Sequence, residues 1–264
     1  MVIGLELFKK HFAPFKDQYI LIGGTACAVI MEDSGLDFRS TKDLDIVLYV
    51  EALSANFVTA FWQFIKAGGY SNQQQSTGKD IFYRFTSPRA TGFPFMLELF
   101  SRKPDTVLLT GEGHLTPIPV SEAITSLSAI LLDEEYYRFI HSGKKEMDGL
   151  SILDAEHIIP LKARACIDLE DRKKNGVLTD ERDIRKHRND IIRLYQLLSP
   201  NQQVQLPQSI KKDLQTFLER LKNNGSIDCK ALGLPHISGD RIIDALERVY
   251  GLNESVEGRP YTRT

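Results

Sequence analysis

Long hydrophobic runs, clustered cysteines and an excess of charge of either sign are all scarce in this 264-residue chain, and each shortage removes a class of protein. No stretch approaches the roughly 18 consecutive apolar residues of a membrane-spanning helix, so no membrane partner is expected. Cys27, Cys166 and Cys229 are the three cysteines, far apart and without histidines at ligand spacing. That pattern argues against a zinc site and a disulfide framework and fits a reducing compartment. The first residues, Met-Val-Ile-Gly-Leu-Glu, lack a basic region followed by an apolar run, so no leader is expected and the protein reads as cytoplasmic. Net charge is -2, which marks neither a strong polyanion binder nor an acidic protein.

What is present is ordinary for a globular chain, with 42% hydrophobic and 26% charged residues. The charge is unevenly spread. From Lys162 to Lys222 there are 14 Lys/Arg against 9 Asp/Glu, so the remainder is net acidic. A phosphate or RNA partner on the later half is compatible with this, as is a solvated helical face.

The first ~118 residues alternate helical and strand patterns, and the rest reads as mostly helical. An amphipathic helix is expected over Leu5 to Phe12, followed by a buried strand, Tyr19 to Ile22, closed by Gly23-Gly24. Thr25 is expected to cap a helix from Ala26 to about Asp33. Leu44 to Val50 reads as a second strand, rich in β-branched and aliphatic residues. Leu53, Phe57, Phe61, Phe64 and Ile65 recur at helical spacing, ending at Gly68-Gly69. Those phenylalanines and Trp62 read as helix packing and not as a base-stacking platform. Lys79 to Thr86 and Phe93 to Phe100 are further strands. Pro117 and Pro119 mark the domain boundary, which gives domains at 1–118 and 119–264, and Ser121 caps a helix toward Phe139. Later helices are expected from Pro160 to Asn175-Gly176, from a Thr179 cap to Leu198, over Ile210 to Leu221, and over Asp240 to Tyr250.

The chemistry concentrates in Gly23-Gly24-Thr25 and, 18 residues beyond Thr25, Asp43-Leu44-Asp45, with Arg39 and Thr41 leading in. Side chains alternate along a strand, so Asp43 and Asp45 point one way while Leu44, Ile46, Leu48 and Val50 point to the core. Two carboxylates about 7 Å apart repel unless a cation sits between them, and magnesium, or manganese, prefers such oxygens. Glu98 is a lone charge in the apolar strand 95–100; beside Asp43 and Asp45 it would bring a third metal ligand. Glycines without Cβ atoms let the backbone approach phosphate, and the following helix offers free N–H groups.

The order strand, Gly-Gly, helix, Asp-x-Asp strand, acid-bearing strand resembles the nucleotidyltransferase superfamily that includes DNA polymerase beta. Within it the chain is similar to the AbiEii-like toxins of type IV toxin–antitoxin systems. The matching residues are Ile22-Gly23-Gly24-Thr25, Arg39-x-Thr41-x-Asp43-Leu44-Asp45-Ile46, Leu161-Lys162-Ala163-Arg164-Ala165, Arg172-Lys173 and the run Arg182 to Ile191. They span about residues 15 to 200. The resemblance implies an α+β fold: an N-terminal nucleotidyltransferase domain with a small mixed sheet flanked by helices, plus a C-terminal helical domain that completes the cleft.

The resemblance also implies roles. Gly23, Gly24, Thr25, Arg39 and Lys162 would bind the nucleoside triphosphate, whether ATP, GTP, CTP or UTP. Asp43 and Asp45 would hold the metal, and Asp190 would be a further acid of the cleft. Glu98 is not a firm feature of those toxins, and the loop 175–179 interrupts the match. The plain alternatives are a solvent-facing Lys162, an Asp190 paired with Lys186 at i,i+4, and a packed His187. The activity implied is metal-dependent transfer of a nucleoside monophosphate to an acceptor hydroxyl. The toxins suggest the 3′ end of a tRNA as acceptor, and an antitoxin as protein partner. The alternatives are an aminoglycoside-type small-molecule nucleotidyltransferase, and a catalytically silent member that binds nucleotide or a partner.

Overall fold

Every residue of the strand Tyr19–Ile22 (β1) is buried, because this short aliphatic run lies in the interior of a sheet. The computed structural model describes residues 2–49, 52, 54–72, 82–100, 133–223 and 227–252. Within them β1 is joined by β2 (Asp43–Leu48), β3 (Ser71–Asn72), β4 (Phe82–Thr86), β5 (Met96–Phe100), β6 (Lys144–Met147) and β7 (Leu150–Leu153). The seven strands form one mixed sheet in the order β3-β4-β5-β2-β1-β7-β6. β2 runs antiparallel to β1 and parallel to β5, and β7 runs parallel to β1.

Eight helices surround it: α1 (Leu5–Phe12), α2 (Gly23–Asp33), α3 (Ala55–Gly68), α4 (Glu134–Ser142), α5 (Ala155–Lys174), α6 (Glu181–Leu194), α7 (Gln208–Asn223) and α8 (Gly239–Val249), counted among the described residues. The phenylalanines of α1 and α3 form an aromatic layer under the sheet; the ring centroids of Phe8 and Tyr19 are 5.4 Å apart, and those of Phe12 and Phe57 are 5.7 Å apart. Phe85 of β4 packs on Phe61 from the same side. Arg84, its neighbour on the strand, therefore points to the other face, where α2, α5 and α6 pack together. Burying each such aromatic or aliphatic side chain is worth about 1.5–3 kcal/mol.

The α+β expectation holds, and so do α1 and β1 with the bounds read from the sequence. Other elements differ. The later half is not purely helical, since the β6–β7 hairpin extends the sheet beside β1. Its strands are four residues each, and Lys-Lys-Glu-Met carries no apolar alternation to announce an edge strand. The expected boundary at Pro117 and Pro119, and the start of a helix at Ser121, lie outside the described residues. The described α4 is capped by Asp133.

α5 begins five residues before Pro160, with Asp154 as its cap accepting a hydrogen bond from the His157 N–H. Proline thus stands inside the helix, where it leaves the Glu156 carbonyl without its N–H donor. Tyr250 repairs this: its hydroxyl donates to the Glu156 carbonyl at 2.8 Å. α6 is capped by Asp180, one residue past the expected Thr179, and ends at Leu194 before a short 3-10 turn to Leu197. No helix among the described residues is long and apolar enough to cross a membrane.

Removing the hydroxyl in Tyr250→Phe should cost about 1–2 kcal/mol in urea unfolding, because a buried carbonyl loses its donor. Pro160→Ala, which restores the backbone N–H, should shrink that cost in the double variant; an undiminished cost would sink the pairing.

Candidate active site

The site begins where β1 ends. Gly23, the first residue of α2, has φ +65°, and a Cβ placed there would lie 1.9 Å from Asp45 Oδ2. Only glycine fits, for both reasons. A Cβ on Gly24 would lie 2.8 Å from Thr41 Oγ1. The expected Gly-Gly turn is therefore the opening of the helix itself, pressed against the acid strand. Thr25 does not cap that helix: its hydroxyl is buried and donates to the Asp43 carbonyl at 2.6 Å, tying α2 to β2. In this arrangement the hydroxyl proton is committed to that carbonyl.

Asp43 and Asp45 alternate with buried Leu44 and Ile46, so both carboxylates lie on the α5–α6 side of β2. Parallel pairing with β5 sets Glu98 directly beside Asp45, and Arg84 of β4 beside Glu98 in turn. Arg84 Nε donates to Glu98 Oε1 at 2.6 Å. Asp45 and Glu98 stand side by side on adjacent strands, so their carboxyls crowd one another. Burial, then the charge of Glu98, pushes the Asp45 carboxyl up to about 8. Burial also raises Asp43, with Lys186 opposing it.

A second constellation holds the helices to this strand. Asp190 of α6 has no exposed surface and receives a fork from Arg39, Nε to Oδ1 at 2.8 Å and Nη2 to Oδ2 at 2.7 Å. Lys162 of α5, 4% exposed, donates to Asp190 Oδ2 at 2.8 Å. Burial alone would raise the Asp190 carboxyl, but Lys162 and Arg39 hold it well below the usual carboxylate range. Burial works against the Lys162 ammonium too, while the Asp190 carboxylate favours its charged form. Asp190 is thus an anion hydrogen-bonded by Arg39 and Lys162, with Arg193 3.9 Å from its Oδ1, and does not line the cavity. Asp190, expected as a further acid of the cleft, is placed behind Lys162 and Arg39, which take its oxygens. Neither does Lys186 pair with it, and Lys162 is no solvent-facing lysine.

These elements enclose a cavity of about 820 Å³. One wall carries Asp43, Asp45 and Glu98. Facing it, Ile158, Leu161, Ala165 and Leu169 of α5 form an apolar stripe at helical spacing. α6 contributes Lys186 and His187, and Leu178, 93% exposed, stands at the mouth with Asp180 and Asp183. Burial, then Lys162, drives the His187 imidazole down to about 3, so it is neutral. Lys186, Arg84 and the mouth residues escaped the sequence reading, because nothing local marks an exposed lysine or arginine as facing a distant strand.

The strand acids offer oxygens only, the donor chemistry that hard divalent ions take, in a cradle that a Cβ on Gly23 would fill. They are less tightly gathered than Asp154, Glu156 and His157, whose ligand atoms lie within 4.8 Å of one another. The latter trio is already accounted for: Asp154 caps α5, accepts from His157 Nδ1 at 2.6 Å and pairs with Lys145.

No protein-family model and no curated protein matches the sequence. Solved structures similar to it include the following two. An antigenic nucleotidyltransferase-like protein from Paracoccidioides brasiliensis shares 19% identity at TM-score 0.44, over 90% of this chain and 96% of that one. JHP933 from Helicobacter pylori shares 16% at TM-score 0.34, over 94% of this chain and 88% of that one. At these values neither likeness assigns an activity.

Two outcomes follow from the charges. Asp190→Asn strips the counter-charge from buried Lys162 and partly buried Arg39 and should cost about 3 kcal/mol or more in denaturant unfolding. Adding Lys162→Met should recover part of the loss; no recovery would contradict the pairing. In metal-free buffer, folded Asp45 keeps its proton to about pH 8, whereas an unfolded aspartate releases it near ~4. Stability from the protonated form is therefore complete below about pH 4 and is lost as pH rises through 8. Melting temperature should fall from pH 5 to pH 9, and Asp45→Asn should abolish that component.

Proposed function

We propose that this protein is a metal-dependent nucleotidyltransferase that moves a nucleoside monophosphate from a nucleoside triphosphate to an acceptor hydroxyl. The observation that carries the reading is the meeting of Asp43, Asp45 and Glu98 on adjacent strands with the glycine-opened N-terminus of α2 in one large cavity. Asp43 and Asp45, with Glu98 at their side, would hold magnesium or manganese, which supplies charge neutralisation on the phosphates and a lower pKa for the acceptor hydroxyl. The first N–H groups of α2 meet phosphate oxygens where Gly23 and Gly24 leave room. The aliphatic stripe of α5 takes the nucleoside and excludes water. A bond then forms between the acceptor oxygen and the α-phosphorus while the bond to pyrophosphate breaks in line. The hydroxyl proton leaves to solvent. Positioning and electrostatics carry the step, with no side-chain nucleophile.

For the acceptor we favour RNA, specifically a tRNA 3′ end, in a toxin paired with an antitoxin protein. Exposed Arg182 and Arg185 on α6 beside the mouth support an RNA acceptor, and the family resemblance supports the toxin reading. A second reading rests on Asp180 and Asp183 at that mouth, which would suit a cationic small-molecule acceptor such as an aminoglycoside.

Incubation with each labelled triphosphate, magnesium and total RNA should label the RNA band. Asp43→Ala and Asp45→Ala should each lower the label at least about 100-fold while the protein stays folded by circular dichroism. Label on an aminoglycoside and none on RNA would move the conclusion to the second reading. Full activity in either variant would remove the mechanism.

A further inference from the structure

Of the described side chains that line the cavity, four carry a fixed positive charge: Arg39, Arg84, Lys162 and Lys186. Three are committed. Arg39 and Lys162 are held by Asp190, and Arg84 is held by Glu98. Lys186, which shares the cavity with them, differs in two respects that matter to a ligand. It is exposed, and among the described residues its ammonium forms no ion pair.

Its position follows from the helix. Asp183, Lys186, His187 and Asp190 recur at i, i+3, i+4 and i+7, so one face of α6 is turned to the site. Asp190 at the inner end locks that face to α5 and to Arg39, and Lys186 lies one turn nearer the mouth. From there its charge bears on both Asp43 and Asp45 across the cavity. A compact ammonium on a flexible four-carbon stem can follow a polyanion that enters between α6 and the acid strand.

We infer that Lys186, and not Lys162, is the cation that grips the polyphosphate tail of the nucleoside triphosphate. Lys162 is a positioning residue: it fixes Asp190, and through Asp190 the Arg39 side chain. This assignment rests on the nucleotidyltransferase reading and sharpens it. It also carries a sign that a purely structural role would not produce. Lys186 repels a divalent cation approaching Asp43 and Asp45, so removing it favours the metal alone while disfavouring the triphosphate.

Calorimetry with three probes separates the possibilities: a non-hydrolysable α,β-methylene triphosphate with magnesium, the matching nucleoside monophosphate, and manganese alone. Lys186→Ala should weaken the triphosphate analogue about 10- to 100-fold and the monophosphate by less than about 3-fold. Manganese alone should bind as tightly as to the parent protein or more tightly, and the melting temperature should stay put. Lys186→Arg should restore most of the triphosphate affinity. Unchanged analogue affinity in Lys186→Ala would overturn the assignment, as would an equal loss for the monophosphate and the triphosphate. A parent protein that binds manganese but no triphosphate would instead overturn the nucleotidyltransferase reading, and the role of Lys186 with it.

Discussion

One buried carboxylate, Asp190, holds the architecture of the site together. It joins the lead-in to the acid strand, through Arg39, to the two helices that form the opposite wall, through Lys162 on α5 and its own place on α6. Isolating such charges from water is costly, and a buried ion pair of this kind is poor evidence of net stability. Its value lies in direction. The hydrogen bonds from Arg39 and Lys162 can satisfy one carboxylate's lone pairs in few arrangements, so the distance between the acid strand and the helices is set within narrow bounds.

The acid strand itself works by alternation against a closely packed neighbour. Leu44 and Ile46 anchor β2 in the core, which forces Asp43 and Asp45 outward together. Parallel pairing with β5 then places Glu98 beside Asp45 with no freedom of register, since a one-residue slip would bury the acids and expose the leucines. Burial and the neighbouring Glu98 raise the Asp45 carboxyl, and Arg84 pairs with Glu98 on the far side.

Much of this was legible residue by residue. Strand β1 declares itself as Tyr-Ile-Leu-Ile closed by glycines, α1 by its apolar spacing, and the acid pair by the strict alternation around Leu44. Other features were misread where one local signal outweighed another. Pro160 looked like a helix start, because the Tyr250 hydroxyl that lets it sit inside α5 is 90 residues away in sequence. Thr25 looked like a cap, because nothing near it in sequence reveals the Asp43 carbonyl to which its hydroxyl donates. The β6–β7 hairpin was missed, its polar edge strand lacking the pattern that announces a strand.

By itself the sequence determined the class of the fold, the position of the acid strand and the need for glycine before it, since these depend on spacing and on backbone sterics within a few residues. Only the tertiary structure decided which charges meet. Arg39 and Asp190 are separated by 151 residues, and Lys162 and Asp190 by 28. A charge has no periodicity that names its partner. Whether a lysine is buried against a carboxylate, like Lys162, or left facing a cavity, like Lys186, is fixed by how helices pack on a sheet.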